Sequence, residues 1–251
     1  MKKEYAVVAI LISIICLFYF IGGKNMNSPI PSHVGVESIK PLKEIPLKDF
    51  FKNPEMSSFQ MSPDGKYISY MKPWEDGNRM MNVYVRPIDS ESEVRITDAS
   101  KRSLYGYFWL NENRIAYVQD EGGDENIHIY AVNVDGTNNI DLTPFKNIQA
   151  RITDDLEDDP NFMLVALNKR NPRIHDVYRL DVNSGDMEMI AENPGNISGW
   201  MTDNDGKLRI ATTSDGVNTG LLYRENESED FKNILTTNFK ESVSPLYFTF
   251  D

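Results

Sequence analysis

The sequence predicts an all-β protein, a partial β-propeller of about four four-stranded blades plus the start of a fifth, preceded by an N-terminal hydrophobic helix. Three observations carry this. The segments "VYVRP", "IYAVN", "VYRLD" and "LYREN" place Tyr84, Tyr130, Tyr178 and Tyr223 at intervals of 46, 48 and 45 residues. Turn residues keep the same rhythm, with Asp64 in "SPDGK", Asn111 in "LNENR", Asp159 in "EDDPN" and Asp205 in "DNDGK" separated by 47, 48 and 46. Each period holds four short runs of alternating apolar and polar residues, such as "SSFQM", "YISYM", "NVYVRP" and "EVRIT". Four strands in 40–50 residues is the pattern of a propeller blade, and a blade must stack on its neighbours to bury its faces.

The elements follow in chain order. "MKKEYAVVAILISIICLFYFIGGKN" sets Lys2 and Lys3 before an uncharged run from Tyr5 to Gly23, so residues 1–24 read as an export signal, either cleaved or retained as a single membrane anchor. Lys2 and Lys3 keep the N-terminus cytoplasmic and send the rest across, to a periplasmic or extracellular location. Cys16, the single cysteine, lies inside this run and reads as an apolar residue of the signal, with lipid attachment disfavoured by the preceding Ile15. With one cysteine there is no intramolecular disulfide and no cysteine metal site. Residues 25–48 contain Pro29, Pro31, Pro41 and Pro46 without periodicity and form a linker.

The propeller occupies 49–251, with blades at about 57–98, 104–144, 148–192 and 196–237 and a further unit begun at 242–251 by "SVSPLYFTFD". In the first blade, Pro63 and Gly65 shape the hairpin turn and Tyr67, Ile68 and Tyr70 belong to the strand after it. The recurrent tyrosines sit on each third strand, where packing between blades is their simplest role. A chain that stops mid-blade leaves a sheet edge open, which points to further C-terminal sequence in the natural protein.

Composition limits the function classes. With 40% hydrophobic and 25% charged residues the chain is globular, and 26 basic against 38 acidic residues give a net charge of −12, which repels nucleic acid. The acidic loop "QDEGGDEN" carries Asp120, Glu121, Asp124 and Glu125, which suit either a peptide's protonated amine or a solvated turn shaped by Gly122 and Gly123. "DDLEDDP", with Asp154, Asp155, Glu157, Asp158 and Asp159, and "DNDG" at Asp203 to Gly206 lack the spacing of a calcium loop and read as solvated hairpins, so neither metal nor cofactor is expected. Asn196 and Asn226 begin glycosylation triplets, which matter only in a host that glycosylates.

"LKDFFKNPEMSSFQMSPDGKYISYM" and "YFWLNENRIAYVQDEGGDENIHIYAVNVDGTNNIDLTP" resemble the N-terminal propeller of the prolyl oligopeptidase family of serine peptidases, in its bacterial dipeptidyl and acylaminoacyl peptidase branch, over roughly Leu47 to Asp251. The resemblance implies a filter over an α/β-hydrolase partner domain that carries Ser, Asp and His and acts on peptides. The sequence has no Gly-x-Ser-x-Gly elbow, and His33, His128 and His175 lie outside any βα pattern, so no catalytic residue is assigned and the substrate-binding residues stay unassigned. The competing reading is a non-catalytic periplasmic propeller of the TolB type that binds a protein partner.

Overall fold

A computed structural model of the chain describes residues 44–249 apart from Asn53 and Gly77. The chain divides into two units, Met1–Lys52 and Asn53–Asp251. The expected signal segment, Cys16 and His33 lie outside the described residues. Among the described residues no helix is long and apolar enough to cross a membrane. In the first unit the described part holds one short helix, α1 (Leu47–Phe50), which begins directly after Pro46 and buries no side chain. A proline preorganises the backbone for a helix start, and four residues are too few to persist on propensity alone.

The second unit is four antiparallel sheets, each ordered by its strands in sequence. Sheet 1 contains β1 (Ser57–Met61), β2 (Tyr67–Trp74), β3 (Met80–Pro87) and β4 (Val94–Arg95). Sheet 2 contains β5 (Gly106–Asn111), β6 (Arg114–Asp120), β7 (Ile127–Asn133) and β8 (Ile140–Asp141). Sheet 3 contains β9 (Ala150–Asp154), β10 (Phe162–Asn171), β11 (Ile174–Asp181) and β12 (Met187–Ala191). Sheet 4 contains β13 (Ile197–Thr202), β14 (Leu208–Ser214), β15 (Thr219–Tyr223) and β16 (Lys232–Thr237). The all-β propeller-type architecture expected from the repeat is present. Residues 242–249 adopt no regular secondary structure, and the Asn204 side chain donates to the Phe248 carbonyl at 3.3 Å.

The first turn shows how the repeat is written locally. Gly65 has φ 72° and its N–H donates to the Ser62 carbonyl at 2.9 Å, while Asp64 accepts from the Ser62 hydroxyl at 2.7 Å and the Lys66 N–H at 3.2 Å. A side chain at such a φ is strained, so glycine is required there. Gly206, at φ 70°, repeats the device in sheet 4.

Sheets bury one another in sequence order. Met71, Val83 and Val85 of sheet 1 meet Tyr107, Ile115, Tyr117 and Val132 of sheet 2. Ala116, Ile129 and Ala131 of sheet 2 meet Met163, Val165, Tyr178 and Leu180 of sheet 3. Leu164 and Val177 of sheet 3 meet Leu208 of sheet 4, flanked by Trp200 and Phe231. Alternation along each strand therefore sends apolar side chains to both faces, as stacked sheets demand.

The first strands are the edges that converge. The Gln60 amide of β1 donates to the Tyr107 carbonyl of β5 at 2.8 Å, and the Tyr107 hydroxyl donates to the Ser58 carbonyl at 2.5 Å. The Thr202 hydroxyl of β13 is bonded to Asp154 of β9. Sheets joined at their first strands fan about an axis on that side.

The tyrosines expected between blades divide into two behaviours. Tyr178 is a buried member of the core between sheets 2 and 3, and Tyr130 packs against the core between sheets 1 and 2, stacked on Tyr117 at 5.0 Å. Tyr84 is buried but stacks on Tyr70 of its own sheet at 6.3 Å. Tyr223 departs from the expectation, since its hydroxyl donates to Glu225 at 2.8 Å and it joins no core cluster.

Candidate functional site

The acidic loop between β6 and β7 is held from beneath by its first carboxylate. Asp120 is fully buried at its side chain and accepts from Arg102 at 3.0 Å, from the Tyr105 hydroxyl at 3.1 Å and from the Glu125 N–H at 3.3 Å. Asp124 accepts from the backbone and side-chain nitrogens of Asn126 at 3.0 and 2.8 Å, and these bonds hold its carboxyl below the usual carboxylate range. Glu121 remains exposed at the tip. Of the four acids expected there, Asp120 and Asp124 shape the loop rather than face a ligand.

Two acidic stretches read separately in the sequence meet in space. The β9–β10 connection, with Asp154, Asp155, Glu157, Asp158 and Asp159, and the β13–β14 turn from Asp203 to Lys207 line one groove of about 400 Å³ between sheets 3 and 4. Three of its seven carboxylates are answered within the fold. Asp159 pairs with Arg179 at 2.6 Å, Asp203 pairs with Arg209 at 2.6 Å, and Asp154 accepts from the Leu156 N–H at 2.8 Å. Burial pushes Asp203 upward, but hydrogen bonds from Arg209 and from the Lys207 and Asp205 backbone outweigh it and hold the carboxyl low. Among the described residues no group of three or more His, Cys, Asp or Glu is placed to hold a metal.

The opposite end of the same seam, at the β10–β11 turn, has another chemistry. A groove of about 460 Å³ there is lined by Arg151, Arg173, His175, Asn193, Ser198 and Trp200, among others. Asn193 of this lining belongs to a buried polar network. Asp176, 0% exposed, takes Arg170 in a fork at 2.9 and 2.9 Å and also accepts the Asn193 N–H at 2.8 Å. Asn193 in turn accepts the N–H groups of Gly195 at 2.9 Å and Ile197 at 3.1 Å and donates to the Ile197 carbonyl at 2.8 Å. The loop from β12 into β13 is thereby fixed to β11. A bidentate arginine pair is the strongest geometry a side-chain network offers.

This anchor is part of the repeat and was legible in principle. Two residues before each recurrent tyrosine stand Asn82, His128, Asp176 and Leu221. Asn82, fully buried, accepts from the Thr97 hydroxyl at 2.8 Å and the Ala99 N–H at 2.7 Å, tying the exit from β4 to β3. His128 pairs through Nδ1 with Asp141 of β8 at 2.8 Å. A polar residue recurring at one register position of apolar strands was the available signal. His128 is thus a structural partner. His175 lines the second groove, where burial and the nearby Arg151 charge push its imidazole below the ordinary value. The two described histidines are 47 positions apart on different sheets and form no catalytic pair. At the glycosylation triplets, Asn196 is exposed, while the Asn226 amide donates to Glu229 at 2.7 Å.

No family model matches the chain. Dipeptidyl aminopeptidase BIII of Pseudoxanthomonas mexicana is 36% identical over 166 residues, which are 65% of this chain and 24% of that protein. Dipeptidyl peptidase family member 6 of Caenorhabditis elegans is 27% identical over 194 residues, 74% of this chain and 26% of that protein. The chain therefore spans about a quarter of the length of these curated relatives. An oligogalacturonate lyase from Vibrio parahaemolyticus superposes with a TM-score of 0.51 at 10% identity, covering 73% of this chain and 55% of the lyase. A prolyl endopeptidase superposes with a TM-score of 0.50 at 13% identity, covering 73% of this chain and 30% of the endopeptidase. At such identities the structures share the fold, while the two sequence relatives carry the resemblance to dipeptidyl peptidases.

Proposed function

We propose, from the resemblance of this chain to the N-terminal propeller of the prolyl oligopeptidase family, that it is the substrate-gating part of an exported serine peptidase. The observation that carries the reading is the 36% identity to a dipeptidyl aminopeptidase over 166 residues. In this reading peptide bond cleavage takes place on an α/β-hydrolase partner domain, where an activated serine forms an acyl-enzyme and a histidine moves the proton. The propeller's work is selection and orientation: its first-strand edges face the axis, and its grooves hold the parts of a peptide that do not react. The run from Tyr5 to Gly23 delivers or anchors the protein outside the cytoplasm.

The test is to identify the native polypeptide that contains this sequence and treat it with a fluorophosphonate probe. The expected polypeptide is labelled, extends beyond residue 251, and releases dipeptides from the N-termini of short peptides. A native polypeptide no longer than 251 residues that takes no label would overturn the reading in favour of a binding module. Export is tested by fusing alkaline phosphatase after Lys48. Activity in whole cells is expected, and an inactive fusion would remove the localisation.

A further inference from the structure

We propose that the groove between sheets 3 and 4 at the β10–β11 turn is a carboxylate-binding site, one that holds an acidic terminus or side chain of a peptide through Arg151 and Arg173. Arg151 and Arg173 are both exposed, and no carboxylate pairs with either among the described residues. The Arg151 guanidinium makes one hydrogen bond, to the Gln149 side chain at 2.9 Å. In a chain of net charge −12, where neighbouring arginines are paired, as Arg170, Arg179 and Arg209 are, two unanswered guanidiniums on one groove are conspicuous by their chemistry.

His175 also lines the groove, but its Nε2 is buried without a partner and shielded from solvent, so the ring lies behind the arginines and reports on the groove rather than contacting a ligand. The groove is also built rather than incidental, because Asp176 and Asn193 pin the strand entry that forms its far wall. Its volume, about 460 Å³, fits one or two residues, and Ile152 and Trp200 give the stem of a side chain an apolar flank. The acidic groove at the other end of the seam repels the same group, so the two ends impose a direction on a peptide.

The ligand class rests on the peptide reading above, but the two fail separately. Fluorophosphonate labelling reports the hydrolase, whereas direct binding to the full chain reports this groove. Acetyl-Ala-Ala with a free carboxylate, its C-terminal amide, and inorganic phosphate are each titrated while the His175 ring and Gly199 amide resonances are followed. The acetyl group removes any amine that the acidic loops would attract. The expected result is saturable movement of both resonances by the acid, at least tenfold weaker binding of the amide, and at least tenfold weaker binding of the acid to Arg151→Gln/Arg173→Gln. Both arginines are exposed, so that variant keeps the parent melting temperature. Equal binding of acid and amide, unchanged binding by the variant, or no saturable shift would each overturn the site. Saturation by phosphate without saturation by the acid would overturn the peptide carboxylate as its ligand.

Discussion

Asp176 concentrates more structure than its size suggests. It is an ion-pair partner for Arg170, an acceptor for the Asn193 N–H, and the member of a register position that in sheets 1 to 3 ties the outer strand or its exit back to the third strand. Asp176→Ala leaves the Arg170 fork and a buried N–H unanswered, and is expected to cost about 2–3 kcal/mol by urea denaturation. Asn82→Ala in sheet 1 removes the same kind of anchor and is expected to cost about 1–3 kcal/mol. His175 carries a pH signature. Its folded-state value lies below the ordinary 6.5, so unfolding takes up a proton, and its contribution is complete above that pH and is lost as pH falls below it. Burial, and after it the Arg151 charge, set this direction and Asp176 opposes it. The urea midpoint of His175→Gln should therefore fall less between pH 7.5 and pH 5.5 than that of the parent, and identical pH slopes would exclude the effect.

The hairpin turn is the element whose chemistry is most exposed to test. Gly65 and Gly206 share a positive φ, but their surroundings differ. A Cβ at Gly65 meets only the Met61 sulfur at 3.8 Å, whereas a Cβ at Gly206 collides with the Leu156 side chain. Gly65→Val is expected to cost about 1 kcal/mol or more through backbone strain alone. Gly206→Ala should cost more than Gly65→Ala, because strain and overpacking act together. Melting temperatures of the two alanine variants check the order, and a smaller loss at Gly206 would contradict the turn geometry.

At the scale of the molecule, each core among the described residues draws on two consecutive sheets. Met163 of β10 is fully buried among Ala116 and Ile129 of sheet 2 and Leu142 just after β8, as well as Val165 and Leu180 of its own sheet. Met163→Ala is expected to cost about 2–5 kcal/mol. Because stability in stacked repeats is carried by nearest-neighbour interfaces, amide exchange should accelerate in β6 and β7 together with β10 and β11. Acceleration confined to sheet 3 would show the sheets to be independent. The same stacking creates both grooves, since each is made from the edges of sheets 3 and 4 and neither sheet contains one alone.

The sequence by itself determined the repeat. Period-two alternation, Asp-Gly turns and the spaced tyrosines are local signals, and β1 to β16 appear as four sheets in the expected order. The resemblance to a peptidase family was likewise visible in contiguous residues. Only the tertiary structure decided which residues face one another. The acids at Asp154–Asp159 and at Asp203–Gly206 are almost fifty positions apart and read as separate solvated turns, yet they line one groove because blades stack with equivalent turns side by side. Arg151 and Arg173 carry no signal in the sequence, and His175 none beyond lying outside a βα pattern, for the same reason. Their shared groove, the missing carboxylates around it and the unpaired Nε2 are properties of distance and burial, which no spacing along the chain encodes.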